Sequence, residues 1–570
     1  MLSSDRMDKN KQVIINKGRK IMDWNKLAEA LIPDENVKPL SYYEEKYPER
    51  DLPKGAQVTR LAPSPTGFIH LGNLFVAIAN ERIAHQSGGL MYLRIEDTDL
   101  KRKVDGAVDA VKNALRYFDI RFDEGAEIEG AENAYAPYYQ RERAELYHAY
   151  AKDLIKRGLA YPCFCTEEEL GALREKQTEE KKITGYYGEY ATCRNLTETQ
   201  IYENLKAGKP YVIRLRSQGS AENKLAFRDE IKGDITVTEN DQDVVILKSD
   251  GIPTYHFAHA IDDHFMRTTL VIRGEEWLAS LPIHIELFDV LGFRRPKYGH
   301  NCSLQKIDGD TRRKLSKRKD PELSLEFYRQ EGYYARAVKV YMLTLLNSNF
   351  EEWYLKNPDG ELDTFKFSIG KMGKSGALFD LNKLSDISKN ELAKLSAEEM
   401  FDFLKEWADE FGTETQKGYF ADKEYLLKIL TLCMGIGGKK RRKDFTTAKQ
   451  AIESIAYFFD ETFAPAYAYR FDADVVKAVL EGFKAAYDYA DDCSAWFDKV
   501  KAVASANGFA TDMKAYKAAP TAYPGNVSDV AEMLRVATTG LTNTPDLWTI
   551  MQILGKERVL LRLETAIAAL

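Results

Sequence analysis

Two segments about 240 residues apart constrain this chain most: Arg60-Leu-Ala-Pro-Ser-Pro-Thr-Gly-Phe-Ile-His-Leu-Gly-Asn73 and Arg312-Arg-Lys-Leu-Ser-Lys-Arg-Lys319. The first is a strand–turn–helix entry. Val58 to Leu61 is short and partly β-branched, Pro63 and Pro65 stiffen the turn, and Thr66-Gly67 opens it. Leu74, Ile78 and Ala79 then recur at helical spacing. A helix beginning beside His70 and Gly72 turns free N–H groups and the positive end of its dipole outward, which suits an anion. Gly72 would let a ligand approach the backbone, and His70 offers a hydrogen bond to a phosphate oxygen. The second segment gathers positive charge around Ser316 and has no strong helical or strand period, as expected of a mobile loop closing over phosphates. Taken singly, an H-x-G tripeptide is an ordinary helix start and a Lys-rich run an ordinary solvated face. The conjunction points to a nucleotide held from two sides and cut at its α-phosphate.

At 570 residues the chain has room for about three to five domains of ~100–200 residues each. With 44% hydrophobic and 30% charged residues it reads as a soluble globular protein. No apolar stretch is long enough to span a bilayer, and Met1 to Lys20 lacks the apolar core of a secretory signal. Six cysteines are too few for a disulfide scaffold of this size, so a reducing cytoplasm is expected. The net charge of −7 excludes a uniformly basic coat but not a basic patch that binds nucleic acid.

Residues 1–55 read as an appendage with one amphipathic helix through Trp24, Leu27, Ala30, Leu31 and Ile32. Residues 56–160 are β/α: Met91, Leu93 and Ile95 alternate with polar neighbours in a strand that ends in Glu96-Asp97-Thr98-Asp99, where open α/β sheets bind ligands. A helix follows from Val104 to Phe118. Residues 161–248 change character, with Cys163, Cys165 and Cys193, a charged helix from Glu167 to Lys182, and strands at Tyr211–Arg216 and Asp243–Lys248; this reads as an insertion. The β/α pattern returns over 249–320, with a strand at Thr268–Arg273 and a helix through Leu281, Ile285 and Phe288. A connecting segment, 321–385, leads into a helical region, 386–570, with apolar stripes such as Val476, Val479, Leu480 and Phe483 behind an Asp472 or Asp474 N-cap. Gly435 to Lys443 breaks the pattern with five consecutive cations, Lys439, Lys440, Arg441, Arg442 and Lys443.

These residues resemble the glutamyl-tRNA synthetase family of class I aminoacyl-tRNA synthetases. Besides Arg60 to Gly67, the motifs Arg94-Ile-Glu-Asp-Thr-Asp99, Lys248-Ser-Asp-Gly-Ile-Pro-Thr-Tyr-His256, Val271-Ile-Arg-Gly-Glu-Glu-Trp277 and Lys314-Leu-Ser-Lys-Arg318 follow in the family's order. The resemblance spans roughly residues 56–570 and leaves 1–55 unexplained. It implies an α/β multidomain fold: a class I Rossmann-type core split by an α+β insertion that binds the tRNA acceptor end, then an all-α anticodon-binding region. The implied activity is ATP-dependent activation of glutamate to glutamyl-adenylate and transfer to the 3′ end of tRNA, with Mg2+ accompanying ATP. The protein is expected to be a monomer with no membrane partner.

By the same resemblance, His70, Lys314 and Lys317 stabilise charge on the phosphates, and Thr66, Gly72, Glu276, Trp277 and Ser316 complete the ATP site. Arg60, Ala62, Ser64, Glu96, Tyr255, His259 and Arg273 form the glutamate site, with guanidiniums on the carboxylates and Glu96 with Ser64 on the ammonium. Asn73 stands where the general class I motif has a second histidine, and His259 where several relatives carry Asn. Cys163, Cys165 and Cys193 resemble a zinc knuckle, which needs a fourth ligand. Tyr190 is the leading candidate, Tyr187 lies close by, and a metal-free set of buried cysteines is the alternative. The run 439–443 is assigned to tRNA phosphates. Other readings are a form that also loads glutamine tRNA, a tRNA-modifying relative, a small-molecule nucleotidyltransferase and a non-catalytic tRNA-binding paralogue. The long helical region weighs against the second and third.

Overall fold

The computed structural model describes residues 22–65, 69–99 and 104–570. Thr66, expected at the ATP site, lies outside the described residues. The described residues divide into two compact units: those within 22–116, 120–305 and 346–377 form the first, and 117–119, 306–345 and 378–570 the second.

The first unit is built on short, largely buried parallel strands. β1 (Val58–Leu61), β2 (Leu90–Leu93) and β3 (Glu124–Gly125) pair in that order, with Val58 opposite Leu90 and Tyr92 opposite Glu124. On the other side of β1 runs β9 (Leu270–Gly274), paired in parallel with β10 (Lys297–Asn301). Thr269 N–H donates to Val58 O at 3.0 Å, which fastens the two ladders together. Strands buried on both faces read as continuous apolar runs, as Leu-Met-Tyr-Leu does at β2. Helix α3 (Leu71–Gln86) crosses this layer, and its buried Asn80 donates to Ile272 O of β9 at 3.2 Å. Helix α4 (Ala107–Tyr117) starts three residues later than its sequence pattern suggested. Residues 346–377 stay with this unit partly through Arg82 of α3, which donates to Asp363 Oδ1 at 2.6 Å and to Asp363 O and Phe365 O at 2.8 Å each.

The insertion carries β4 (Ala160–Cys163), α6 (Glu167–Glu179), α7 (Glu198–Lys206), β5 (Val212–Leu215) and β8 (Val245–Leu247), with the strands in the antiparallel order β4-β5-β8. Between β5 and β8 projects a hairpin of β6 (Lys224–Asp229) and β7 (Gly233–Thr238). Thr166 and Thr197 cap α6 and α7 with full capping boxes, which fixes where each helix begins; α6 starts at Glu167, as its sequence suggested.

The N-terminal segment is a strap across the first unit. Helix α1 (Trp24–Leu31) buries Leu27, Ala28 and Leu31 and leaves Ala30 exposed, so the apolar stripe includes Ala28 rather than the expected Ala30. Helix α2 (Leu40–Lys46) follows, and Tyr43 donates to Glu145 on α5 (Ala144–Lys156) at 2.7 Å. Lys152 of α5 reaches Glu29 at 2.6 Å and Asp34 at 2.5 Å. Arg50 grips Glu124 of β3 with two nitrogens, at 3.1 and 2.5 Å, and both side chains are less than a tenth exposed.

The second unit is mostly helical. One apolar core runs from Leu392 to Ala566 and includes Met400, Leu430, Val479, Leu534, Met551 and Leu563. Asp472 occupies the N-cap position of the helix Ala473–Ala486, and Gly555 ends Leu547–Leu554 at φ 82°, where a side chain would be strained. The cationic segment corrects one expectation: Thr311–Lys314 is a strand, β12, paired with β11 (Leu304–Asp308). Among the described residues no helix is long and apolar enough to cross a membrane.

Candidate active site

The start of α3 explains why histidine, glycine and asparagine occur together at 70–73. His70 is the N-cap: its Nδ1 accepts from Asn73 N–H at 3.2 Å, while Asn73 Oδ1 accepts from His70 N–H at 3.0 Å. This reciprocal pair is a capping box in which an imidazole replaces the usual hydroxyl. With Nδ1 accepting, the neutral ring carries its proton on Nε2, so it meets an anion as a donor. A Cβ on Gly72 would lie 2.9 Å from His70 Nδ1. Glycine is therefore required here by the histidine ring folded over it, a reason that does not show in the sequence. Asn73 has a structural duty of its own, which accounts for an amide where the general motif has a second histidine.

Past the carboxyl ends of β1 and β2 lie Ala62, Ser64 and Glu96, three of the residues assigned to glutamate; Arg60 is inside β1, Tyr255 and His259 are on a helix, and Arg273 is in β9. Ser64 is exposed and Ala62 half-buried. Arg94 is wholly buried, donates to Asp263 Oδ1 of α8 (Tyr255–Phe265) at 2.7 Å, and reaches Glu96 Oε1 at 3.2 Å. Asp263 also faces Arg60 Nε at 3.5 Å. Burial pushes the Glu96 carboxyl up to about 7, against the opposing pull of Arg94 and Arg60.

Arg273, at the end of β9, is 5% exposed, and its described partners are all neutral. Its Nε–H donates to His300 Nε2 at 3.0 Å, Nη1 meets His284 Nδ1 at 3.0 Å and Tyr255 Oη at 3.5 Å, and Nη2 reaches Trp277 O at 3.4 Å. Its guanidinium also stands 4.9 Å over the Tyr298 ring. Arg60, Arg94 and Arg143 each lie against a buried carboxylate; Arg273 does not. A buried cation met only by neutral acceptors is an electrostatic site for an anion.

Tyr255 is the meeting point. The charges acting on its hydroxyl include Glu96, Arg273 and Arg60, and burial raises its pKa. Trp277, half-buried, packs on Tyr255 with ring centroids 4.4 Å apart. Glu276 is exposed, and its carboxylate lies so near Gly274 that a Cβ there would come within 2.4 Å of it. His259 is completely buried behind Tyr255, its Nε2 2.9 Å from Tyr298 Oη, so it supports the tyrosine layer from the inside. His284 and His300 are not singled out by the sequence: His284 stands alone in an apolar helix pattern, and His300 belongs to none of the motifs.

The insertion brings its three cysteines together. Their Sγ atoms lie within 4.8 Å of one another, and Cys165 and Cys193 are 3.6 Å apart. Tyr186 Oη lies 3.4 Å from Cys163 Sγ and 3.3 Å from Cys165 Sγ. A zinc tetrahedron with Zn–S bonds of ~2.3 Å has S···S edges of about 3.8 Å, so these atoms fit a metal. Tyr190, the expected fourth position, turns away to hydrogen-bond Glu180. The tyrosine facing the sulfurs is Tyr186, because the Gly185–Tyr187 segment is pinned by Gln177, Gln242 and Asp243 rather than following Cys193.

In the second unit, Lys314 and Lys317 are exposed and Ser316 half-buried. Arg313 holds Asp320 at 2.6 and 2.8 Å, and Asp320 accepts from Ser316 N–H at 2.8 Å, closing the turn that presents Lys317. Of the run 439–443, Arg442 is paired with Asp444 and Lys443 with Asn390, whereas Lys439 and Lys440 are exposed. Arg442 also lines a cavity of about 680 Å³ with Tyr457, Thr539, Gly540 and Asn543.

Residues 57–359 match the catalytic domain of the tRNA synthetases class I (E and Q). The chain belongs to that family. Residues 417–567 match an anticodon binding domain. A glutamate–tRNA ligase of Acetivibrio thermocellus is 50% identical over 95% of this chain and 100% of the relative. One of Clostridium perfringens is 49% identical over 94% of this chain and 99% of its own length. Among solved structures, a glutamate–tRNA ligase of Elizabethkingia meningosepticum, in complex with its amino acid, superposes with a TM-score of 0.71 at 27% identity. It covers 91% of this chain and 100% of that one. The class I synthetase fold with a largely helical anticodon-binding domain is therefore established for this chain.

Proposed function

We propose how this chain works as a glutamate–tRNA ligase. The observation that carries the reading is the charge pattern around Tyr255: two guanidiniums, Arg60 and Arg273, and two carboxylates, of which Asp263 is already held by Arg94 and Arg60 and Glu96 is left to meet a ligand cation. Glutamate has the complementary pattern, one ammonium and two carboxylates. Arg273, without a carboxylate partner among the described residues, takes one carboxylate, and Arg60, already near Asp263, steadies the other. Glu96 with Ser64 receives the ammonium, and Tyr255 donates a hydrogen bond.

The chemistry asks for charge stabilisation rather than a protein nucleophile. The α-carboxylate of glutamate attacks the α-phosphate of ATP, the bond to pyrophosphate breaks, and glutamyl-adenylate forms. A ribose hydroxyl at the 3′ end of tRNA then attacks the acyl carbon, and AMP leaves. His70 meets phosphate oxygen with its Nε2–H, and the N–H groups opening α3 add partial positive charge. The motif around Ser316 assigns Lys314 and Lys317 to the departing pyrophosphate. Mg2+ would accompany ATP and offset charge on its phosphates. Zinc held by Cys163, Cys165, Cys193 and Tyr186 would stiffen the acceptor-end insertion, and the cations at Lys439 and Lys440 meet tRNA phosphates.

The test is charging of separated glutamate and glutamine tRNAs with labelled glutamate, in the parent chain and in Arg273→Gln. Glutamylation of glutamate tRNA by the parent, with a large loss of glutamate affinity in the variant, is the expected result. A variant that charges as well as the parent would remove Arg273 from the site.

A further inference from the structure

Arg273 is held from both sides by imidazoles that are committed to accepting. We propose that His300 with Asp229, and His284 with His256, are positioning residues that fix the Arg273 guanidinium and thereby make the site select a carboxylate over a carboxamide. The inference deepens the glutamate-site reading above and rests on it.

An imidazole nitrogen accepts from a guanidinium N–H only if it carries no proton, so the ring's single proton must sit on the other nitrogen. Asp229 enforces this at His300: its Oδ2 lies 2.6 Å from His300 Nδ1, which leaves Nε2 bare toward Arg273 Nε–H at 3.0 Å. Asp229 cannot drift, because its Oδ1 accepts from Ile231 N–H at 2.9 Å and Lys232 N–H at 2.7 Å in the turn of the β6–β7 hairpin. On the other side, His284 Nδ1 faces Arg273 Nη1 at 3.0 Å while its Nε2 stands 3.0 Å from His256 Nδ1. With Nε2–H donating, His256 closes that arm as an acceptor. Five residues thus form one chain of oriented hydrogen bonds, Asp229–His300–Arg273–His284–His256. His284 and His300 are completely buried, so water does not compete for either bond. Burial, together with the Arg273 charge, holds all three imidazoles below their ordinary pKa, in keeping with neutral rings.

The consequence is selectivity. With Nε–H and one Nη1–H committed to histidines, the rest of the fork keeps a fixed direction and offers only donors. A carboxylate supplies acceptors on both oxygens; a carboxamide presents an N–H2 to a group that cannot rotate away or accept. A guanidinium freed from His300 would turn and admit the amide.

The experiment is steady-state charging of glutamate tRNA, with KM for glutamate and for ATP measured separately and glutamine tested as competitor. The proteins are the parent, His300→Leu, His300→Gln and Asp229→Asn. Leucine removes the acceptor and should raise the glutamate KM about 10- to 100-fold, the loss of one hydrogen bond to a charged group, with ATP KM unchanged and glutamine inhibition strengthened. Glutamine can place its amide oxygen toward Arg273 and should restore most of the affinity. Asp229→Asn keeps the shape but releases the tautomer, and should resemble leucine; it decides the matter if His300→Leu does not fold. Equal glutamate KM across the set, identical behaviour of the Leu and Gln variants, or parallel changes in glutamate and ATP KM would overturn the proposal. Failure of the parent itself to charge glutamate would instead remove the reading beneath it.

Discussion

Glu96 should make glutamate binding depend on pH in a range where few other groups change. Its carboxyl sits near 7 because burial opposes ionisation more strongly than Arg94 and Arg60 favour it. An ammonium ligand needs the carboxylate. With a pKa of about 7, the ionised fraction is roughly nine-tenths at pH 8, half at pH 7 and one-tenth at pH 6. The glutamate KM should therefore rise about twofold from pH 8 to 7 and a further fivefold or so to pH 6, the limiting slope of one proton. Substrate carboxylates and ammonium do not titrate in this window. His256, at about 4, and His259 and His284, which burial holds well below the ordinary imidazole value, are neutral throughout. Glu96→Gln should bind more weakly at pH 8 and show a flat profile. Stability gives an independent readout of opposite sign. Because the folded pKa lies above the ordinary value of 4.5, the stability Glu96 contributes is full below 4.5 and lost as pH rises through about 7. At pH 8 the Gln variant should accordingly unfold at a higher temperature than the parent, by up to about 3 kcal/mol in stability. A flat glutamate KM in the parent between pH 6 and 8, or an unchanged slope in Glu96→Gln, would refute this account.

Gly72→Ala should push the His70 ring off the helix start and slow glutamate-dependent ATP–pyrophosphate exchange about 100-fold or more, the effect of losing one charge-stabilising donor, with little change in glutamate affinity. Metal analysis of protein purified without chelator should return about one zinc per chain, falling sharply in Tyr186→Phe but not in Tyr190→Phe. Neutralising Lys439 and Lys440 together should flatten the salt dependence of tRNA binding by about 0.7–0.9 for each phosphate no longer neutralised, whereas Lys443→Ala alone should change it little. Arg50→Ala should destabilise the protein by about 3–5 kcal/mol, because it leaves Glu124 buried without its partner; a melting temperature equal to the parent's would detach the N-terminal strap from the stability of the first unit.

The local chemistry of this protein was legible in its residues alone. The helix entry at His70–Asn73, the charged helix behind Thr166, the acidic run that follows β2 and the Cys163–Cys165 pair all depend on neighbours within a few positions, and periodicity and capping record such neighbours; Cys193, 28 residues from Cys165, joins the pair only in space. Even there the segment Arg312 to Lys319, read as a mobile loop, hid the strand Thr311–Lys314, since a run of Arg and Lys on an exposed hairpin has no apolar alternation to reveal it. Tyr186 was passed over for Tyr190 because distance along the chain stood in for distance in space. The partners of Arg273 were out of reach altogether. Asp229 and His300 are 71 residues apart, and one belongs to the insertion while the other ends a core strand. Nothing in either segment's own pattern requires the other. Only the tertiary structure decides that a carboxylate on one hairpin sets the proton on a distant imidazole, and that this imidazole holds an arginine. Side-chain identity names the charge that is offered; packing across the ladders determines where it points and which proton it carries.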